Sequence, residues 1–337
     1  MRRLVWLYFC LVAILLTQTP CLRGAEPSLV LQPHGKARGK KIVLISGDEE
    51  YRSEETLPQL ARILSAHHGF QCTVLFAINP KDGTIDPDQL DNIPGLEVLD
   101  SADLLVILTR FRDLPDDQMK HIVDYINSGK PIVGLRTATH AFQLKGSPTY
   151  ARYSWNSPDG GFGRMVLGET WVKHHGQHGK QSTRGVLNPK QTTHPILSGI
   201  HNGELWSTTD VYEVRLPLPG DSNVLVFGEA LAGMEQNSPP AAGAVNDPMM
   251  PIAWVKTYTG SSGKASRVFA TTLGTSQDLL IEADRRLFVN ACYWALGMEE
   301  QIRARSNVSL VGEYRPRPFG TEGFAKGVRP ADLRRAK

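Results

Sequence analysis

The chain has 337 residues, of which 41% are hydrophobic and 21% charged, with 37 Lys and Arg against 34 Asp and Glu. That apolar content suffices for one large α/β domain or two ordinary ones, and it excludes a disordered protein. Three basic residues (Arg2, Arg3 and Arg23) lie in the first 24, so the remainder is formally neutral, which argues against a general nucleic-acid binder that needs a basic surplus to displace phosphate counterions.

Met1-Arg2-Arg3 followed by the apolar run Leu4 to Leu16 reads as an export leader over residues 1–24, cut after Gly24, with an uncleaved N-terminal anchor as the alternative. The run is shorter than the ~20 residues of a membrane span, and no later segment is long and apolar enough. The mature chain is therefore expected in the periplasm or outside the cell, without a membrane span. Cys10 and Cys21 fall in the leader. Cys72 and Cys292 are expected as two separate buried thiols, with a single disulfide between them as the alternative in an oxidising compartment, and no Cys/His spacing of structural zinc type is present.

Residues 25–39 mix Pro, Gly, Lys and polar residues and read as a linker, with order beginning at Lys40. Lys41 to Ser46 is a β-branched apolar run typical of a buried parallel strand. A helix follows from Glu54 to His68, with Leu57, Leu60, Ala61 and Leu64 on one face, Ser53 as N-cap and Gly69 as stop. The pattern repeats as strand 72–77, strand 103–109, helix 116–128 and strand 131–135, which predicts a parallel sheet with right-handed crossovers. From Gln143 to Gly185 no period holds, and this stretch is expected to pack over the carboxyl edge of the sheet. Further strands are expected at 205–214, 224–229, 252–256 and 268–273, the last two joined through Gly260-Ser-Ser-Gly263, and a final helix at 279–296. Beyond Ile302, nine basic residues against three acidic ones suggest an extended, mobile basic tail over 301–337.

In such sheets, ligands gather outside the carboxyl ends of the strands. Three of these ends are polar: Gly47-Asp48-Glu49-Glu50-Tyr51-Arg52, Arg110-Phe111-Arg112-Asp113 and Arg136-Thr137-Ala138-Thr139-His140. Together they offer carboxylates, guanidinium forks and an imidazole to hold a polyhydroxylated or anionic ligand and move a proton. Glu49, Arg110, Arg136 and His140 are expected to converge on one cleft. The 131–140 segment has the strand-then-sharp-turn layout of a nucleophile elbow, but Arg136 stands where a nucleophilic Cys would, so thiol acyl transfer is excluded. His174-His175-Gly176-Gln177-His178 is a second cluster. His174 and His178 at i, i+4 would share a metal on a helix, but Gly176 and Gly179 oppose a helix, so the cluster is expected to line the cleft without stoichiometric zinc.

The stretches 46–53, 109–115, 134–142, 193–196 (Thr-His-Pro-Ile), 268–274 (Val-Phe-Ala-Thr-Thr-Leu-Gly) and 290–297 (Asn-Ala-Cys-Tyr-Trp-Ala-Leu-Gly) together resemble the ThuA-like (trehalose-utilisation) family, in particular exported members of planctomycete type. The resemblance spans residues 40–300 and implies a flavodoxin-like, class I glutamine amidotransferase-like three-layer α/β sandwich with a mainly parallel central sheet, and a role in carbohydrate metabolism. Many such sequences carry Gly-His after the late strand, whereas here Thr275 follows Gly274, with Asp278 as the nearest substitute. The leading expectation is acid/base conversion of a disaccharide or keto-sugar, not glutamine amidotransfer. His140 and Glu49 would be catalytic, and Asp48, Arg52, Arg110, Arg112, Arg136, Thr137, His174, His175 and His178 would bind substrate. No cofactor is expected, the partner is a small sugar, and a homo-oligomer stays open. The alternatives are a non-catalytic carbohydrate-binding module of the same fold and a metal-dependent hydrolase using the histidine loop.

Overall fold

The computed structural model describes residues 26–334; the leader at residues 1–24 lies outside them. The strands are β1 Ser28–Leu31, β2 Lys41–Gly47, β3 Gln71–Phe76, β4 Leu104–Thr109, β5 Ile132–Leu135, β6 Lys173–His174, β7 Thr183–Leu187, β8 Trp206–Ser207, β9 Tyr212–Glu213, β10 Asn223–Ala230, β11 Met250–Thr259 and β12 Ala265–Thr271. The helices are α1 Ser53–His68, α2 Asp116–Asn127 and α3 Glu282–Ala295. One ten-stranded sheet runs in the order β1-β3-β2-β4-β5-β12-β11-β10-β7-β8, and β6 pairs with β9 apart from it.

The continuous apolar runs of β2 and β4 follow from helices on both faces. Ile42 and Leu44 enter the core shared with α1 and α3, whereas Val43 and Ile45 enter the core shared with α2. All four are at most 1% exposed. The result is an α/β sandwich whose parallel core, β3-β2-β4-β5-β12, is flanked by antiparallel edges. The sheet is less parallel than the sequence suggests. After residue 185 no crossover helix separates successive strands, so β7, β10, β11 and β12 can return only antiparallel.

Several local expectations need correction. Within the supposed linker, β1 pairs with β3 from Ser28 to Leu31. Ser53 does not cap α1, because Arg52 occupies the N-cap with φ 59°, and the Ser53 Oγ instead accepts from the Asp48 amide at 2.9 Å. The strand expected over 205–214 is two short pieces, β8 and β9, with Asp210 between them. Asp278 is not a free side chain beside Gly274: it closes a capping box with Thr275 and accepts from the Gly274 amide at 2.7 Å. Cys72 and Cys292 are free and buried.

The basic tail is extended but packed down through residue 334. Arg285 Nε donates to the Val308 carbonyl at 2.6 Å, Tyr314 Oη donates to the Ser276 carbonyl at 2.8 Å, and Arg317 pairs with Glu55 at 2.8 Å. Phe324 is buried, and the Ile85 amide donates to the Val328 carbonyl at 2.7 Å. This segment is called the C-terminal strap below. Among the described residues, no helix is long and apolar enough to cross a membrane.

The segment 143–185 packs near the carboxyl ends of β5 and β12 through Phe162, Val166 and Leu167. Its closest approach is at Gly163, where a Cβ would lie 1.9 Å from the Thr139 carbonyl oxygen. Because that obstacle is backbone, Gly163→Ala is expected to destabilise the fold by about 2–3 kcal/mol in urea denaturation. Gly179→Ala, where a Cβ meets nothing within 4 Å but φ is +70°, is expected to cost about 1 kcal/mol.

His68 ties α1 to the strap. Its Nε2–H donates to the Asn307 carbonyl at 2.8 Å while Nδ1 accepts from Tyr293 Oη at 3.1 Å, so the neutral ring is fully bonded. Burial pushes its pKa down to about 4. The unfolded chain takes up this proton near pH 6.5 and the folded chain only near 4, so stability falls as pH drops through that window. On going from pH 7 to 4, wild type should lose up to roughly 3 kcal/mol more in denaturant unfolding than His68→Gln does.

Candidate functional site

The loops after β2, β4 and β5 meet at the carboxyl edge. Asp48, fully buried, joins two of them: Oδ1 accepts from the Glu50 and Tyr51 amides at 2.7 Å each, and Oδ2 accepts from the Thr137 hydroxyl. Arg52, Phe111 and Arg136 are the non-glycine residues with positive φ among the described residues, at 59°, 49° and 41°. Each lies in one of the three loops. Arg136 directly follows β5, so the sharp turn expected there is present, with a guanidinium in the nucleophile's place.

Arg112 and Glu49 form the scaffold under these loops. Arg112 is 0% exposed and gives Nε to the Arg110 carbonyl at 2.7 Å, Nη1 to the Pro87 carbonyl at 2.7 Å and Nη2 to Glu49 Oε2 at 2.6 Å. Glu49 also pairs with Arg110. Burial and neighbouring Asp48 raise the Glu49 pKa against the pull of Arg112 and Arg110. The carboxylate that lines the cavity is that of Glu50, which meets Arg110 at 3.1 Å. Arg52 donates to the Glu49 and Glu322 carbonyls. Asp48 and Arg112 thus spend their polar atoms on the protein itself, as do both terminal nitrogens of Arg52, whose Nε has no partner among the described residues.

The cavity between the loops is small, with a volume of about 30 Å³. Its walls include Glu50, Tyr51, Arg110, Arg136, His140 and His174. His140 Nδ1 contacts Thr139 Oγ1 at 3.2 Å, which leaves Nε2 as the ring nitrogen without a protein partner. Burial first, then Arg110 and Arg136, holds its pKa well below the usual imidazole value, so the ring is uncharged at neutral pH. Arg136 is fully buried between the Tyr51 ring, 4.3 Å from the guanidinium carbon, and the Tyr212 ring at 5.3 Å. Phe111, Trp155 and Trp171 form an aromatic cluster beside His140.

The histidine loop joins the same site without being a helix. His174 ends β6 and His178 lies on the following turn, yet the Nδ1 atoms of both contact Asp210, each at 2.9 Å from a separate carboxylate oxygen. The ligand atoms of His174, His178 and Asp210 lie within 4.8 Å of one another. Asp210 is 0% exposed. Its pKa is lowered, as the bonds to His178 and the charge of Arg136 outweigh burial. His175 turns away, its Nε2 donating to the Val245 carbonyl at 2.6 Å. Sequence reasoning missed Asp210 by placing it inside a strand; the signal was the polar run Ser207-Thr208-Thr209-Asp210, which fits no strand with one apolar face.

If Arg112 is scaffold, truncating it removes its bonds to the Arg110 and Pro87 carbonyls and one of the two guanidiniums that hold the part-buried Glu49 carboxylate. Arg112→Met is expected to cost about 3–5 kcal/mol in chemical denaturation, whereas Lys120→Ala, which breaks an exposed pair with Asp124, should stay within about 0.5 kcal/mol.

No protein of curated function matches the chain. Among solved structures, it is similar to a ThuA-like protein of Parabacteroides merdae at 14% identity and TM-score 0.49, covering 77% of this chain and 90% of that one. It is also similar to a ThuA-like protein of Bacteroides uniformis at 14% identity and TM-score 0.48, covering 78% and 93%. Residues 41–295, from the first residue of β2 to the last of α3, match the family model described as ThuA, trehalose utilisation, and on that match over most of its length the chain belongs to the ThuA family.

Proposed function

We propose that this ThuA-family chain is an exported, divalent-metal-dependent hydrolase of a carbohydrate derivative, with His174, His178 and Asp210 as the metal ligands. The carrying observation is the approach of two imidazoles and one buried carboxylate to within 4.8 Å. Two His and one carboxylate, with a position left for water, is the donor set of catalytic zinc sites.

The ion would supply a water that ionises near neutral pH. Glu50 Oε1, 3.4 Å from His178 Nε2, stands beside the cluster as a proton acceptor. The uncharged His140 would take that proton on and deliver it to the leaving oxygen, and Arg110 and Arg136 favour negative charge developing on oxygen. The Phe111 and Trp171 rings on the cavity wall offer apolar faces against which a sugar ring can pack, which together with family membership supports a carbohydrate substrate. The neutral His140 also supports a second reading, metal-free acid/base conversion of a disaccharide or keto-sugar.

Calorimetric titration with Zn²⁺, Mn²⁺ and Co²⁺ should show one tight site, weakened at least about 100-fold by Asp210→Asn. Turnover on a panel of disaccharides, their 3-keto forms and acetylated sugars should vanish with chelator and return with metal. His140→Ala should lower kcat at least about 100-fold with metal affinity unchanged. Turnover indifferent to chelator would sink the metal reading and favour acid/base conversion, and sugar binding without turnover would leave a binding module.

A further inference from the structure

The family match stops at residue 295, but the site extends beyond it. The strap returns across the carboxyl edge and places Phe319 against two site residues. Its ring stacks on Tyr51, with centroids 5.7 Å apart and planes 25° apart, and meets the His178 ring edge-on at 5.2 Å. The backbone follows the loop after β2: the Gly320 amide donates to the Glu50 carbonyl at 2.7 Å, and Arg52 Nη2 donates to the Glu322 carbonyl. Tyr314 and Arg317 anchor the strap before this span, and Phe324 and Val328 anchor it after.

His178 needs such support. It sits between Gly176 and Gly179 on a turn, with its side chain 36% exposed, so its own backbone does little to fix the imidazole. Asp210 holds Nδ1 and Phe319 packs against the ring. The Tyr51 ring, covered by Phe319, in turn lies over Arg136, which borders Asp210 at 3.9 Å. Contacts that orient a ligand count almost as much as the ligand, since losing one typically weakens metal binding about 10- to 100-fold.

We propose that Phe319 is a positioning residue of the metal centre: the docked strap presses it against His178 and Tyr51 and so fixes the geometry of the His174, His178 and Asp210 set. This rests on the metal reading above. In the full-length protein, Phe319→Ala should weaken Zn²⁺ binding, measured by competition with a chromophoric chelator, by about 10- to 100-fold and alter the visible spectrum of the Co²⁺-loaded protein. Phe319→Tyr should restore affinity to within a few fold. A merely structural role would lower Tm without moving affinity or spectrum, and that outcome overturns the proposal.

A second arm needs no metal. Diethylpyrocarbonate should modify His178, located by peptide mass spectrometry, several-fold faster in metal-free Phe319→Ala than in metal-free wild type. Should wild type bind no divalent ion, the metal reading falls and this arm alone decides whether Phe319 positions His178: a faster rate supports it and equal rates overturn it.

Discussion

The carboxylate of Asp48 is the contact on which the site depends. A buried carboxyl group is costly unless its oxygens are hydrogen-bonded, and this one accepts from two amides of its own loop and from the Thr137 hydroxyl of the loop after β5. Those bonds fix where Glu50 and Tyr51 stand relative to Arg136 and His140. Arg112 does the same from below, as its guanidinium binds Glu49 while accepting no solvent contact. The loops that present chemistry are therefore held by polar residues that present none.

Backbone strain marks the same three loops. A non-glycine residue at positive φ costs on the order of 1–3 kcal/mol and persists only where the surroundings over-determine it. Arg52, Phe111 and Arg136 are each over-determined. Arg52 binds two carbonyls, the Phe111 amide donates to the His140 carbonyl at 3.0 Å, and Arg136 Nη1 donates to the Thr272 carbonyl at 2.8 Å. The Phe111 bond also links the loop after β4 to the one after β5, so strain in one loop is offset by bonds that position another.

Electrostatics separate the two kinds of imidazole. His140 is buried beside Arg110 and Arg136 and is held neutral. His178 bonds to Asp210 and faces Glu50, and that environment raises its pKa. The difference comes from Asp210, whose carboxylate reaches the histidine loop but not His140. A cation between His174, His178 and Asp210 would compete with the proton that Asp210 favours on His178.

The order of amino acids alone encodes the alternation of buried strands and helices through α2 and β5, because apolar periodicity and the glycine stops are local properties. It also determined which three loops carry the polar side chains, because these directly follow strands. Within those loops it did not distinguish scaffold from site: Asp48, Arg52 and Arg112 look as chemically able as Glu50, Arg110 and His140, and only burial and hydrogen-bond partners show which polar atoms are already spent. The antiparallel edges, the place of Asp210 and the path of the strap were likewise decided by tertiary structure. His174 and His178 illustrate why. Their spacing suggests a shared ligand only on a helix, and the glycines rule the helix out. What brings them together is a carboxylate more than thirty residues away, fixed by β8 and β9 pairing with different strands, a long-range contact that no local pattern encodes.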